Sequence, residues 1–282
     1  MFPKRAVSEA IGWGSSVGIP GRLRDLMLTR FAQIYGIDVS EAEKPLGAYA
    51  DFDEFFTRKL RPGLRPIADE PGSVVSPADG TVVECGLVTA GKLIQAKGHL
   101  FDLATLLGEE EAAARLDGGA YVITYLSPKD YHRVHAPVGG RVVGWHHIPG
   151  TLFMVGARSV RSEPGLFVRN ERFVTLIEME DGGLCAVVMV AAVGVGHMTA
   201  TYDSDVATHG RQFLRAAVRH RRYDQPRPLR RGEELGVFHL GSTTIAVFEP
   251  GRVELAPASS GEAVKMGARI GRIVPAQPAG QG

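Results

Sequence analysis

Cysteine is nearly absent from this chain of 282 residues: only Cys85 and Cys185 occur, too few for a disulfide scaffold. Neither stands in a recurring metal-ligand spacing, so both read as core thiols. A dominant charge is lacking too. The 32 basic and 31 acidic residues leave a formal charge of +1, so no global field draws the chain to nucleic acid, and any basic patch must be local. No uninterrupted apolar run approaches the length of a bilayer span, and Met1-Phe2-Pro3-Lys4-Arg5 leads into no apolar stretch of the secretory type. A protein of this kind that works at a membrane lies on its surface. What is present is a 44% hydrophobic composition, enough to bury one large core or two modest ones.

From Gly21 to Tyr35, Leu23, Leu26, Met27, Phe31 and Ile34 recur at helical spacing, with Arg22, Arg24, Asp25 and Arg30 largely between them. This pattern predicts an amphipathic helix, docked on the protein or lying on anionic lipid. A second helix start follows at Asp51-Phe52-Asp53-Glu54, where acidic residues precede apolar ones, and Arg58 to Arg65 form a basic, proline-interrupted connector. After Pro71 the texture changes to short β-prone runs punctuated by glycine: 74–75, 81–83, 121–123, 142–143, 174–177, 186–195 and 245–248.

Two internal echoes accompany the change. Ser76-Pro77-Ala78-Asp79-Gly80-Thr81-Val82-Val83 resembles Ala136-Pro137-Val138-Gly139-Gly140-Arg141-Val142-Val143, and residues 231–236 resemble 265–271. The expected fold is therefore α+β and mainly β. A helical, membrane-associating segment over 1–70 precedes a barrel-sandwich-like β domain with internal duplication over 71–274, and 275–282 form a disordered tail. Eight arginines between Arg211 and Arg231 read as a solvated face or as a contact for phosphate head groups.

Three features carry candidate chemistry. Leu240-Gly241-Ser242-Thr243 is ordinary turn chemistry, or else a peptide bond placed to be attacked by its own serine, since Gly241 offers no side chain to obstruct the approach. If the ester so formed eliminates, Ser242 becomes a pyruvoyl group. Tyr131-His132-Arg133-Val134-His135 pairs two histidines without the glutamate of a helical zinc motif, and Pro137 disfavours a helix there. No metal is expected; an acid–base pair is. Asp79 can orient one imidazole while that ring takes the Ser242 proton, and the spacing leaves open which ring. Glu262-Ala263-Val264-Lys265-Met266 comes close to a biotin acceptor sequence, with a surface lysine at a strand junction as the plainer reading.

Taken in order, Phe55-Phe56-Thr57-Arg58-Lys59-Leu60-Arg61-Pro62, Ser76 to Gly80, Ile94-Gln95-Ala96-Lys97-Gly98-His99, Tyr131 to His135, Pro149-Gly150 with Leu152-Phe153, Asn170-Glu171-Arg172 and Leu240 to Thr243 resemble the bacterial, pyruvoyl-dependent phosphatidylserine decarboxylases. The resemblance implies self-cleavage between Gly241 and Ser242, into a larger and a smaller chain that remain associated. It implies catalytic roles for Asp79, His132, His135 and Ser242, with His135 the base for processing and His132 acting in decarboxylation. Ser242 would be the precursor of the pyruvoyl cofactor, which holds the substrate amine as a Schiff base. Phosphatidylserine at an anionic membrane, on the cytoplasmic face of the cell membrane, is the implied partner, and a homo-oligomer stays open. Two rival classes share parts of the pattern: a non-enzymatic barrel-sandwich carrier, and a pyruvoyl enzyme acting on a soluble amino acid. The helix at 21–35 favours the lipid.

Overall fold

The computed structural model describes residues 21–96, 98–192, 197–208, 217–239 and 242–275. Helix α1 spans Gly21–Tyr35 and α2 spans Phe52–Phe56, where the Asp51 side chain caps the helix by accepting from Glu54 N at 2.8 Å. Strands β1 (Ser73–Val75), β2 (Gly80–Leu87), β3 (Lys92–Ala96) and β4 (His99–Asp102) precede α3 (Leu103–Leu107) and α4 (Glu110–Leu116). Then come β5 (Ala120–Leu126), β6 (Arg133–His135), β7 (Gly140–Ile148), α5 (Ala157–Ser162), α6 (Leu166–Arg169), β8 (Arg172–Met179) and β9 (Leu184–Ala191). The chain continues through β10 (Met198–Ala200), β11 (Asp203–Ala207), β12 (Arg219–Leu229), β13 (Glu234–Phe238), β14 (Ser242–Phe248), β15 (Val253–Leu255), β16 (Ala263–Val264) and β17 (Arg269–Ile273).

Most strands join one antiparallel sheet of eight, in the order β12-β7-β8-β9-β14-β5-β2-β16. Side chains alternate between its two faces, as the pleat requires. Ala246 and Phe248 of β14 enter one core with Val134, Leu235, Phe238 and Met198, which belong to a four-stranded sheet, β11-β10-β13-β6, laid against that face. Ile245 and Val247 enter the opposite core with Leu106, Leu116 and Phe167 of the covering helices. Each such fully buried aliphatic or aromatic side chain stabilises the fold by roughly 1.5–3 kcal/mol. The architecture is sandwich-like and mainly β, as expected, with no closed barrel among the described residues.

The internal echoes are structural. His135 N donates to Pro77 O at 2.8 Å and Val75 N to Pro137 O at 2.9 Å, so the two repeats grip each other reciprocally. Gly232 N reaches Ala136 O at 2.8 Å and Gly267 N reaches Ser76 O at 3.0 Å, which is the same contact made once in each half. Gly80 and Gly140 open equivalent strands. A Cβ on Gly80 would lie 2.2 Å from Tyr125 O, and one on Gly140 would lie 2.0 Å from Glu178 O, so the backbones approach too closely for any side chain.

Several expectations need adjustment. Helix α1 has the predicted bounds, yet the residues it buries are Leu28 and Ala32, with Phe31 partly packed, while Leu23, Leu26, Met27 and Ile34 stay exposed. The arginine run, where described, is a solvated edge strand, β12, and the turn after it, with several of its charges paired. Arg221 binds Asp203 and Asp205, Arg222 binds Glu109, Arg230 binds Glu233, and Arg227 donates to Tyr202 O. Charge together with Pro226 and Pro228 makes β12 a poor template for further strand pairing. Arg211 and Arg215, Lys97 and the tail from 276 lie outside the described residues. Cys185 is buried and its thiol is pushed well up by burial, as a core thiol should be. Gly80→Ala is expected to destabilise the protein by at least about 2 kcal/mol, whereas Gly47→Ala, whose methyl would meet nothing nearer than 3.7 Å, should stay within about 0.5 kcal/mol. Denaturant titration of the two variants makes the comparison.

Candidate active site

Ser242 is the first residue of β14, paired with Leu126 on one side and Ala191 on the other. Alternation places it with Thr244, Ala246 and Phe248, facing the four-stranded sheet that contains β6. Its Oγ is buried and has no hydrogen-bond partner among the described residues. Gly241, the other side of the bond read as a cleavage junction, lies outside the described residues.

His132 immediately precedes β6 and His135 is its last residue, in the four-stranded sheet that packs on that face. Phe238 N donates to His132 O at 3.0 Å, and Glu234 pairs with His135, so the strand that leads into Ser242 holds the histidine strand along its length. His135 Nδ1 donates to Gly232 O at 2.9 Å and His132 Nδ1 donates to Asp130 O at 2.9 Å. Each carbonyl fixes the proton on Nδ1, leaving Nε2 with its lone pair. Both Nε2 atoms are buried and without a partner among the described residues. Burial pushes the His132 ring down to about 3 and lowers His135 as well. At neutral pH both are therefore neutral bases. Phe56 of α2 packs on His132 with ring centroids 4.0 Å apart.

Asp79 enters from the first repeat, and its side chain is engaged elsewhere than the sequence suggests. Arg65 Nε and Nη2 reach its carboxylate at 2.8 and 2.6 Å, Met266 N donates at 2.8 Å, and Lys265 Nζ lies at 3.2 Å. Burial alone would raise this carboxyl, but the Arg65 guanidinium and these other donors outweigh it and hold it below its usual range. No hydrogen bond joins Asp79 to either imidazole. Its charge still acts on both rings, favouring their protonated forms against the larger effect of burial. The orienting acceptors are backbone carbonyls, because both Nδ1 atoms face the turns that hold β6.

Other groups complete the site. Asn170 accepts from Phe153 N at 3.1 Å and donates to Phe153 O and Ala191 O at 2.9 and 2.8 Å, which ties the loop after Gly150 to Ser242's neighbour. Gly150 packs where a Cβ would come 2.5 Å from Asn170 C, so Pro149-Gly150 and Asn170-Glu171 form one unit. Arg65, Asp53 and His239 were missed in the sequence. Asp53 accepts from His239 Nδ1 at 2.8 Å, three residues before Ser242. Their partners are far away in the chain, so spacing carried no signal for them. Lys265, which reads as a surface lysine, is half exposed and reaches Asp79.

A buried hydroxyl, two neutral imidazoles with free Nε2 atoms and a buried carboxylate define an enzyme site of the acid–base type. Comparison with known proteins narrows the class. The family model for phosphatidylserine decarboxylase matches residues 52–272. The chain is 47% identical over 272 residues to the phosphatidylserine decarboxylase proenzyme of Anaeromyxobacter sp. (strain K), covering 96% of this chain and 95% of that protein. It is 42% identical over 274 residues to the proenzyme of Myxococcus xanthus (strain DK1622), covering 97% and 96%, and 43% identical over 258 residues to that of Bordetella avium (strain 197N), covering 90% and 85%. The chain belongs to the phosphatidylserine decarboxylase family.

The depressed histidines have a consequence for stability. In the unfolded chain each imidazole titrates near its ordinary value of about 6.5. As pH falls below that value, the unfolded state takes up a proton that the folded state refuses. The contribution is complete above about pH 6.5 and is lost at up to about 1.4 kcal/mol per pH unit for each such ring as pH falls. Denaturant titrations between about pH 7 and pH 5 should show this decline, and His132→Gln should flatten it. An unchanged slope in the variant would show that the ring titrates normally.

Proposed function

We propose that the chain cleaves itself between Gly241 and Ser242, converts Ser242 to a pyruvoyl group, and then decarboxylates phosphatidylserine to phosphatidylethanolamine. The observation that carries this reading is the buried, unpartnered Ser242 Oγ on the sheet face that meets β6, whose His135 presents an unpartnered, neutral Nε2. A buried hydroxyl and a buried neutral base, carried on two sheets that pack together, suit proton transfer followed by attack on the preceding carbonyl. His135 takes the Ser242 proton. The Gly232 carbonyl holds the ring in the required tautomer, and the buried Asp79 charge stabilises the imidazolium as it forms.

The residues fit a pyruvoyl group at position 242. The strand start is closely packed and apolar apart from Thr243 and Thr244, whose hydroxyls have no partner among the described residues. When formed, the group supplies an electron sink for the pair released as carbon dioxide leaves. His132 Nε2, packed under Phe56, is the group that takes up the proton given off by the substrate ammonium and delivers it to the carbon that has lost carbon dioxide. The smaller chain, residues 242–282, stays bound because β14 lies between β5 and β9 of the larger one.

The exposed Leu23, Leu26, Met27 and Ile34 of α1, bordered by exposed Arg22 and Arg30, support peripheral attachment to anionic lipid on the cytoplasmic face. Among the described residues no helix is long and apolar enough to cross a membrane. Ser242→Ala and His135→Ala are expected to remain one uncut species on denaturing gels and by intact mass. His132→Ala should cut, yet lose roughly 10²–10⁴-fold in carbon dioxide release from phosphatidylserine. A full-length single species in active wild-type enzyme would overturn the scheme.

A further inference from the structure

Among the described residues, the other arginines with buried side chains are fully engaged. Arg172 donates to the carbonyls of Leu106, Val168, Asn170 and Thr105, and Arg65 divides its guanidinium between Asp79 and Glu41. Arg58 is different. The residue is 3% exposed, its Nη2 donates to Lys129 O at 2.9 Å, and its Nε and Nη1 have no acceptor among the described residues. No carboxylate lies within ion-pair distance of it among those residues. Its guanidinium also lies over the Phe55 ring, 5.5 Å from the centroid, but neither this contact nor one carbonyl supplies a counter-anion, and a buried charge without one is unfavourable. Burial accordingly lowers its proton affinity, although it remains charged at neutral pH.

Its position links it to the reaction. Lys129 O accepts from Arg58, and the next carbonyl along, Asp130 O, accepts from His132 Nδ1, so guanidinium and imidazole hang from one short turn. Phe56, two residues before Arg58, covers the His132 ring. Arg58 also lines a cleft of about 320 Å³ that runs between residues 43–59 and Arg133. The cleft's other cations are partly committed, Lys44 to Glu54 and Arg133 to Glu234.

Resting on the lipid-decarboxylase reading above, we propose that Arg58 is the receptor for the substrate's phosphodiester. Unused N–H donors on a permanently charged, planar group suit two oxygens of a phosphate. In phosphatidylserine only a methylene and an ester oxygen separate phosphorus from the carbon that loses the carboxylate, so a phosphate receptor has to lie near the residue that handles that carbon, as Arg58 lies near His132. The carboxylate itself is the less suitable ligand. It surrenders its charge during the reaction, so a guanidinium on it would stabilise the ground state more than the transition state. The phosphodiester keeps its charge throughout, so Arg58 contributes uniform binding. Its removal should then act on KM and leave the electron-sink chemistry in place.

Two measurements test this. Calorimetric titration of processed wild-type enzyme with glycerophosphoethanolamine should give binding at least tenfold tighter than with ethanolamine. In Arg58→Gln the preference should vanish, with Arg58→Lys intermediate. In mixed micelles of phosphatidylserine and neutral detergent, Arg58→Gln should self-cleave to completion and raise KM at least tenfold, with a much smaller change in kcat. Three results would overturn the assignment: equal binding of the two ligands by wild type, unchanged affinity in Arg58→Gln, or a loss confined to kcat. The wild-type titration stands even if a variant does not fold. Absence of turnover on phosphatidylserine by cleaved wild-type enzyme would instead count against the function proposed above.

Discussion

The cluster around the Asp79 carboxylate is the contact on which the rest of the site depends. It joins segments that no local preference would bring together: Arg65 from the connector after the helical region, Asp79 from the first β repeat, and Lys265 with Met266 from near the C-terminus. A buried carboxylate needs compensating donors, and here three chain segments must converge to provide them. Once they do, residues 75–79 lie beside 135–137, and β6 is fixed against β13. Asp79 and Lys265 also fall on opposite sides of the proposed cleavage point, so the cluster is one of the bonds between the two products.

Burial then sets the chemistry of what has been assembled. His132 and His135 are neutral because water is excluded and because a backbone carbonyl takes each Nδ1 proton. The same exclusion leaves Ser242 Oγ without a competing partner among the described residues. The duplicated β architecture provides the geometry asymmetrically. Asp79 of the first repeat corresponds to Gly139 of the second, and His135 of the second corresponds to Val75 of the first, so each half contributes one of the candidate side chains.

Much of the fold was legible in the sequence where periodicity reports burial directly. Helix α1 has the bounds its spacing predicts, Asp51 caps α2, and each β-prone run falls on a strand, 186–195 only as far as Ala191, while shorter or more polar strands such as β6, β10 and β12 gave no such signal. The echoes at 76–83 and 136–143 were visible because both repeats face the same close backbone approach and both require a glycine at the strand start. Other features were not legible, for a common reason. The apolar stripe of α1 gave no sign of which side is covered, since Leu28 and Ala32 carry the contact. The arginine run is the solvated face that composition suggested, but composition could not show its acidic partners Glu109, Asp203 and Asp205, which lie outside the run.

The candidate residues Asp79, His132, His135 and Ser242 could be named from the sequence because each sits in a short ordered motif. The environments that give them their properties could not. Local spacing encodes which residues share a strand or a helix face, and so the sequence by itself determined the elements, the duplication and the family resemblance. Desolvation, tautomer and ion pairing depend on atoms contributed by residues far apart in the chain. Only the tertiary structure therefore decided that Arg65 and Lys265 hold Asp79, that carbonyls orient both imidazoles, and that Arg58 is buried beside His132 without an anion of its own among the described residues.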